Sequence, residues 1–180
     1  MPEKDVTSLA RKIELLLMDV DGVMTDGTLL FVPMPDGSVV EAKAFNVNDG
    51  AALGMARRAG LKTGIISGRS SAALIKRAEE LKVDFFYHGL GRTKTPAIEE
   101  IFAKTKMSKD RVCYIGDDVQ DLPLFSRVGF PVAVANASQE VASRASYVTR
   151  TPGGRGAIRE VVELILRAQG KWEAALKEFE

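Results

Sequence analysis

Short apolar runs alternate with longer helical patterns along most of the chain. The apolar runs predict strands, and the stretches between them predict helices. Predicted strands lie near 13–19, 62–66, 83–87, 111–115, 130–134 and 145–149. Predicted helices lie near 49–59, 70–81, 95–105, 120–126, 138–143 and 155–169. This alternation indicates an α/β fold in which helices cover both faces of a parallel sheet.

The segment from Gly27 to Phe45 breaks this alternation. Two short apolar runs flank the sequence Pro-Met-Pro-Asp-Gly at 33–37, whose residues favour a turn. The segment therefore predicts a β-hairpin that can serve as a flap. A hairpin alone is poorly stable in water, so its apolar side chains need a covering surface. That surface is either the core of the same chain or another copy of the chain.

The length and composition predict a single domain over 1–180. The 180 residues are 46% hydrophobic and 27% charged, which is typical of one globular domain. We expect loose ends up to about Ala10 and in a tail over 170–180. The net charge of +1 and the scattered Lys and Arg residues argue against nucleic acid as a partner.

No apolar stretch approaches the ~20 residues of a membrane helix, so we expect no membrane partner. The amino terminus is polar and mixed in charge, unlike a signal peptide. The only cysteine, Cys113, excludes an internal disulfide and fits a reducing compartment. We therefore expect a cytoplasmic protein.

Two of the predicted strands end in acidic residues. Asp19 and Asp21 follow the first strand, and Asp117 and Asp118 follow a later one. The carboxyl ends of parallel strands meet at one edge of a sheet, where ligands bind. One Asp-Gly pair could be only a turn, but two such ends concentrate negative charge that needs a cation. Mg²⁺ prefers oxygen ligands and is the predicted metal.

Ser67, Gly68 and Arg69 follow another predicted strand, and Lys94 lies farther along the chain. A strand that ends in Ser-Gly before a helix offers a hydroxyl and free backbone N–H groups to a phosphate oxygen. Ser67 could instead cap the helix, and Lys94 alone could be a solvated surface residue. Asp49 precedes an apolar helical pattern, and we expect it to cap that helix.

These segments, in this order, resemble the haloacid dehalogenase-like phosphohydrolase superfamily. The resemblance rests on Asp-Val-Asp-Gly at 19–22, Ser-Gly at 67–68, Lys94 and Gly-Asp-Asp-Val-Gln-Asp at 116–121. Within the superfamily, 19–27, 43–50 and 149–160 look like the family of 3-deoxy-D-manno-octulosonate 8-phosphate phosphatases. The likeness extends from about residue 11 to about residue 170. It implies a Rossmann-like sheet with the hairpin in place of a cap domain.

The resemblance also implies catalytic roles. Asp19 would be the nucleophile that carries an aspartyl-phosphate, and Asp21 the proton donor and acceptor. Lys94 and Ser67, with the adjacent Gly68, would hold the phosphoryl oxygens.

The same resemblance implies a binding site for Mg²⁺. Its ligands would be the Asp19 carboxylate, the backbone carbonyl of Asp21 and the Asp117 carboxylate. Asp118 and Asp121 would orient the lysine and the water on the metal.

The implied substrate is an eight-carbon sugar acid phosphate, used in lipopolysaccharide precursor synthesis. Arginine binds carboxylates with two parallel hydrogen bonds, so Arg69, Arg77 and Arg155 are candidates for the sugar carboxylate. Arg77 could instead form a surface salt bridge, and Arg155 could simply begin a helix. The resemblance further implies a homotetramer in which four subunits pool their hairpins. Two alternatives are a phosphatase of a nine-carbon ulosonate or another small sugar phosphate, and a non-enzymatic binding module.

Overall fold

The computed structural model describes residues 6–177, in which eight strands occur. They are β1 (Leu15–Met18), β2 (Leu30–Pro33), β3 (Val39–Ala42), β4 (Lys62–Ile66), β5 (Phe85–Tyr87), β6 (Val112–Gly116), β7 (Phe130–Ala133) and β8 (Tyr147–Val148). Six of them form one parallel sheet in the order β5-β4-β1-β6-β7-β8, and β2 and β3 form a separate antiparallel pair. The predicted α/β fold is confirmed.

Helices cover both faces of this sheet. They are α1 (Val6–Arg11), α2 (Val47–Arg58), α3 (Ala72–Leu81), α4 (Thr95–Thr105), α5 (Leu122–Phe125), α6 (Gln139–Ala142), α7 (Ala157–Ala168) and α8 (Trp172–Lys177). Side chains of α1, α2, α3, α7 and α8 enter one apolar core, and those of α4, α5 and α6 enter the other. No helix in the described part of the chain combines the length and the apolar character that crossing a membrane requires.

Strand β1 lies in the middle of the sheet between β4 and β6. Leu16 and Met18 enter one core, and Leu15 and Leu17 enter the other. All four side chains are fully buried, because helices cover the strand from both sides. This burial explains why the run is continuously apolar and does not alternate.

The parallel sheet brings the ends of β1, β4 and β6 to the same edge. Asp19 follows β1, Ser67 follows β4 and Asp117 follows β6. β4 and β6 each pair directly with β1. Residues about 100 positions apart in sequence are therefore adjacent at this edge, as the strand pattern predicted.

The β2–β3 hairpin is present where the sequence predicted it. Asp36 stabilises its turn by accepting hydrogen bonds from the backbone N–H and the hydroxyl of Ser38, and Gly37 has the positive φ of +83° that this turn needs. Large apolar side chains of the hairpin are exposed, namely Leu29, Leu30, Phe31, Val32, Met34, Val39 and Val40. Within the described residues, neither core of the chain covers these side chains.

The prediction of loose ends is wrong for the described residues. Ala10 lies in α1 and is fully buried, and Trp172 of α8 is only 6% exposed. The Arg167 guanidinium lies 4.8 Å from the centre of the Trp172 ring. Burial of these apolar groups orders both ends. Residues 1–5 and 178–180, which those predictions also covered, lie outside the described part.

The predicted cap of α2 is also wrong. Its N-cap is Asn46, whose side-chain oxygen accepts a hydrogen bond from the backbone N–H of Asn48. Asp49 is buried, and it accepts a hydrogen bond from the backbone N–H of Arg159 at 2.8 Å. Asp49 therefore connects α2 to the first turn of α7, a long-range contact that no local pattern indicates.

Candidate active site

Asp19 follows directly after the fully buried strand β1. Its backbone N–H donates to the carbonyl of Ile115, which continues the β1–β6 pairing by one residue. Gly22 then takes a φ of +86°, and a Cβ at this position would lie 2.0 Å from the Asp117 carboxylate. Only glycine permits this turn and this close approach. The Asp-Gly sequence is therefore a turn, and the turn brings two carboxylates together.

Asp19, Asp117 and Asp121 each place a carboxylate oxygen within 4.8 Å of the other two. Burial and the neighbouring Asp121 raise the pKa of Asp19 to about 7, against the opposing effect of Lys94. Burial and the charges of Asp19 and Asp121 raise the pKa of Asp117 to about 8. Asp117 Oδ1 is buried and has no hydrogen-bond partner among the described residues. A hard cation with oxygen ligands fits this cluster, because it would neutralise the repulsion and contact the unpaired oxygen.

Lys94 is a buried cation on the floor of the site and not a surface residue. Its Nζ lies 2.7 Å from Asp19 Oδ2 and 2.7 Å from Asp121 Oδ1. Burial acts to lower the pKa of Lys94, but the two carboxylates overcome this effect and raise it. The ammonium is thus charged and fixed beside Asp19.

Asp121 uses both of its oxygens within the protein. Oδ1 accepts hydrogen bonds from Lys94 and from the hydroxyl of the buried Tyr114. Oδ2 accepts from the backbone N–H groups of Asp117 and Asp118. Asp118 in turn completes a capping box with Asp121. These contacts suit Asp121 to holding the lysine and the loop, and they leave Asp117 better placed to bind a cation.

Ser67 and Arg69 extend the site from the end of β4. Ser67 is buried, and its hydroxyl accepts a hydrogen bond from the backbone N–H of Arg69. Ser67 does not cap α3, since Ser71 occupies that position and accepts from Leu74. A Cβ on Gly68 would lie 2.5 Å from the carbonyl oxygen of Gly91. This close approach requires glycine.

The hairpin contributes two charged side chains that the sequence reasoning missed. Lys43 Nζ lies 2.5 Å from Asp21 Oδ1 and 2.7 Å from Glu41 Oε1. Glu41 Oε2 lies 2.5 Å from Arg69 Nη2. Burial acts to lower the pKa of Lys43, but the two carboxylates raise it. The available signal was the spacing of Glu41 and Lys43, which places both on one face of an extended segment.

A cavity of about 260 Å³ opens at this edge of the sheet. It is lined by charged and polar residues and two glycines, namely Asp19, Asp21, Gly27, Gly68, Arg69, Lys94, Asp117, Asp118 and Gln120. Gln120 is a further residue that the sequence reasoning did not single out. The volume suits a small ligand better than a polymer, and an anionic ligand would need a bound cation to offset the four carboxylates of the lining.

The other two predicted arginines lie outside this cavity. Arg155 lines a neighbouring one of about 300 Å³ with Phe45 and Asn46, and its guanidinium lies 3.6 Å from the Asp26 carboxylate. Arg77 lies over α2, where Nη2 donates to the backbone carbonyl of Asn46 and Nη1 lies 3.3 Å from Glu80. Among the three candidates, Arg69 alone lines the cavity that contains Asp19 and Asp117.

A glycine-rich loop before α7 packs directly on the turn that follows Asp21. Asn136 bridges the two segments, because it donates to the carbonyl of Gly22 and accepts from the N–H of Gly153. The N–H of Gly154 donates to the carbonyl of Val23. Asn136 therefore holds the turn after Asp21 against the glycine-rich loop, and no local pattern in the sequence indicated this contact.

Three comparisons with known proteins agree with this geometry. A family model described as haloacid dehalogenase-like hydrolase matches residues 88–160. The 3-deoxy-D-manno-octulosonate 8-phosphate phosphatase KdsC of Escherichia coli K12 is 40% identical over 171 residues, 95% of this chain and 88% of the relative.

Two solved structures are also similar. The corresponding phosphatase of Yersinia pestis has a TM-score of 0.87 and 42% identity, with 94% of this chain and 89% of that chain covered. The phosphatase of Moraxella catarrhalis, in complex with a magnesium ion, a phosphate ion and a KDO molecule, has a TM-score of 0.90 and 35% identity, with 98% of each chain covered.

Proposed function

The chain belongs to the 3-deoxy-D-manno-octulosonate 8-phosphate phosphatases of the haloacid dehalogenase-like superfamily, and on that premise we propose that it hydrolyses this phosphate ester to the free sugar acid and phosphate. The observation that carries the proposal is the buried Asp19 carboxylate at the end of β1, held 2.7 Å from the Lys94 ammonium. The proposed reaction would belong to the synthesis of lipopolysaccharide precursors.

We assign the nucleophilic step to Asp19. One of its carboxylate oxygens attacks phosphorus, and the bond between phosphorus and the sugar oxygen breaks. The leaving oxygen takes a proton from Asp21, which leaves an aspartyl-phosphate and the free sugar acid. Asp21 then accepts a proton from water, whose oxygen attacks phosphorus and releases phosphate from Asp19. Lys94 and the Ser67–Gly68 segment hold the phosphoryl oxygens through both steps.

Mg²⁺ is the cofactor of the proposed reaction. The Asp19 and Asp117 carboxylates and the backbone carbonyl of Asp21 would hold it, and the unpaired buried oxygen of Asp117 supports this assignment. When bound, the ion supplies positive charge that offsets the repulsion between the phosphate and the carboxylates. Asp118 and Asp121 take part by orienting the loop and Lys94.

Arg69 is our proposed partner for the carboxylate of the sugar acid. It lines the cavity, and its Nε lies 3.8 Å from Asp21 Oδ2, beside the acid and base group. Arg155 would act from the neighbouring cavity, on the far side of Asp26. Arg77 lies beyond the reach of its own cavity in this arrangement, so its proposed role depends on a neighbouring subunit.

The exposed apolar face of the hairpin supports a homotetramer as part of the proposal. A contiguous exposed patch of this kind is typical of an interface, and another copy of the chain would cover it. The single thiol, Cys113, is buried, and we propose a reducing compartment, the cytoplasm.

Phosphate release from a panel of sugar phosphates in the presence of Mg²⁺ tests the function. The panel contains the eight-carbon ulosonate 8-phosphate, nine-carbon ulosonate 9-phosphates and hexose phosphates. We expect kcat/KM to favour the eight-carbon acid by about a hundredfold, which corresponds to ~2.7 kcal/mol. Similar low rates on every substrate would be consistent with the phosphatase mechanism but would contradict the eight-carbon acid as the preferred substrate. Absence of release would favour a binding module.

A further inference from the structure

We propose that Lys43 is a positioning residue, which holds the Asp21 carboxylate in the orientation that its proton transfers require. The proposal rests on the proposed function, because Asp21 acts as acid and base in that reaction. Lys43 does not touch the phosphate in this assignment. It acts through Asp21.

The placement of Lys43 is the first observation. It lies just after β3, yet its side chain is only 1% exposed. A buried ammonium is unfavourable unless it is paired with opposite charge. The two charges it meets are Asp21 at 2.5 Å and Glu41 at 2.7 Å. The hairpin is mostly exposed, yet its Lys43 side chain is buried and contacts Asp21 in the turn after β1.

The two oxygens of Asp21 have different surroundings. Oδ1 accepts the hydrogen bond from Lys43, whereas Oδ2 lies toward Arg69 at 3.8 Å. The side chain remains 23% exposed and lines the cavity. With Oδ1 held, the carboxylate cannot rotate freely, and Oδ2 is left to exchange a proton with a bound ligand. Proton transfer requires hydrogen-bond reach, and a displacement of about 1 Å can cost about a hundredfold in rate.

The contact belongs to a larger network of charges. Lys43 and Glu41 are two residues apart on one side of the extended segment. Glu41 contacts Arg69 at 2.5 Å, so the ion pairs run from Asp21 through Lys43 and Glu41 to Arg69. This network connects the turn after β1, the hairpin and the segment after β4. The position of the hairpin is thereby linked to the orientation of Asp21.

Substitution of Lys43 by Met tests the proposal, since Met keeps much of the length and removes the charge. We expect kcat for the eight-carbon ulosonate phosphate to fall by about tenfold to a hundredfold, while KM changes by less than about threefold. Lys43→Arg should recover part of kcat. Lys104→Met is the matched control, because Lys104 pairs with Glu100 at 2.5 Å on the exposed side of α4, and its kcat should equal that of the native enzyme.

A double-mutant cycle separates positioning from a general structural effect. In an Asp21→Asn background, Lys43→Met should lower the residual kcat by less than about threefold, because the group that Lys43 positions is already removed. An equal loss in both backgrounds, or a higher KM with kcat unchanged, would overturn the proposal. If circular dichroism shows that Lys43→Met does not fold, Lys43→Gln enters the same cycle with the same criteria.

The outcomes also separate this proposal from the proposed function. A native enzyme that hydrolyses none of the sugar phosphates contradicts the function itself. A native enzyme that is active, together with a fully active Lys43→Met variant, contradicts only the role of Lys43.

Discussion

Three carboxylates and one ammonium lie together at the carboxyl edge of the sheet, and the balance of their charges governs the chemistry of the site. Asp121 is fully occupied by hydrogen bonds, whereas Asp117 retains an unpaired buried oxygen. The same residue type therefore takes different roles because of its neighbours. Lys94 stabilises Asp19 without neutralising the whole cluster, so the site without metal has excess negative charge.

Asp19→Asn tests the nucleophile. We expect turnover to fall by about a thousandfold or more, since an amide cannot form the aspartyl-phosphate. The fold should be retained, because the change keeps the shape and removes one of the repelling charges. Phosphate release and thermal unfolding followed by circular dichroism check the two parts. Substantial residual activity that depends on Mg²⁺ would contradict the assignment.

The raised pKa values predict how stability depends on pH in metal-free protein. Asp19 and Asp117 have folded pKa values of about 7 and about 8, against 3.8 as the ordinary value. The folded state therefore binds more protons, so this contribution to stability is present below about pH 4 and is lost as the pH rises through 7 and 8. We expect the rise in Tm caused by saturating Mg²⁺, relative to EDTA, to increase from pH 5 to pH 8.

Asp117→Asn is the control for that measurement. It removes one of the two titrating groups and one proposed ligand, so both the pH dependence and the effect of Mg²⁺ should shrink. A rise in Tm that is the same at every pH in the native protein would contradict the role of these carboxylates.

The elements themselves were largely predictable, because their signals are local. β4 and α4 have the bounds that the sequence predicted, and most other elements differ by one or two residues. Long-range contacts were not predictable in the same way. Asp49 accepts a hydrogen bond from the first turn of α7 and does not cap its own helix, and Lys43 reaches Asp21 only because the hairpin folds back over the turn. The candidate residues came from motifs, whereas their supporting residues depend on tertiary structure.

Two glycines test the importance of the close approach between elements. A Cβ on Gly153 would lie 1.8 Å from the carbonyl oxygen of Gly22, whereas one on Gly54 in α2 would meet only Arg58 Nη1, at 3.6 Å. Gly153→Ala should lower the free energy of unfolding by about 1–3 kcal/mol and also lower kcat. Gly54→Ala should raise it by about 0.5–1 kcal/mol, because alanine is the better helix former.

Urea unfolding and steady-state kinetics on both variants check this prediction. Gly54→Ala serves as the matched substitution, since both changes add one methyl group. Equal changes in the free energy of unfolding for Gly153→Ala and Gly54→Ala would show that the glycine-rich loop does not pack tightly on the turn after Asp21.

At the scale of the whole molecule, the chain has an extended apolar hairpin outside its two cores. The sequence predicted one domain over 1–180 and a covering partner for the hairpin. Both are predictions, which measurements of the mass in solution and of cooperative unfolding test.

Phe31→Ser tests the assembly. Phe31 is 56% exposed at the hairpin, and its loss from a shared apolar face should weaken association. We expect light scattering to give a tetramer mass for the native protein and a smaller mass for the variant at low micromolar concentration. Val47→Ser removes an apolar side chain that is 80% exposed outside the hairpin and should leave the mass unchanged. A native monomer would contradict the prediction.

The single domain predicts cooperative unfolding. Urea transitions measured by circular dichroism and by Trp172 fluorescence should coincide, because α8 and the sheet share one core. Two separated transitions would indicate independent units.

The burial of β1 has a consequence for motion. Amide protons of Leu16 and Leu17, enclosed in the middle of the sheet, should exchange with solvent only when the entire chain opens, while those of the exposed hairpin exchange through small local openings. Asp19, the proposed nucleophile, thus follows the strand whose amides we expect to be among the most protected, whereas Asp21 is contacted by Lys43 of the hairpin. An opening of the hairpin that separates Lys43 from Asp21 would therefore free the Asp21 carboxylate for ligand entry or product release, while Asp19 keeps its position at the end of β1.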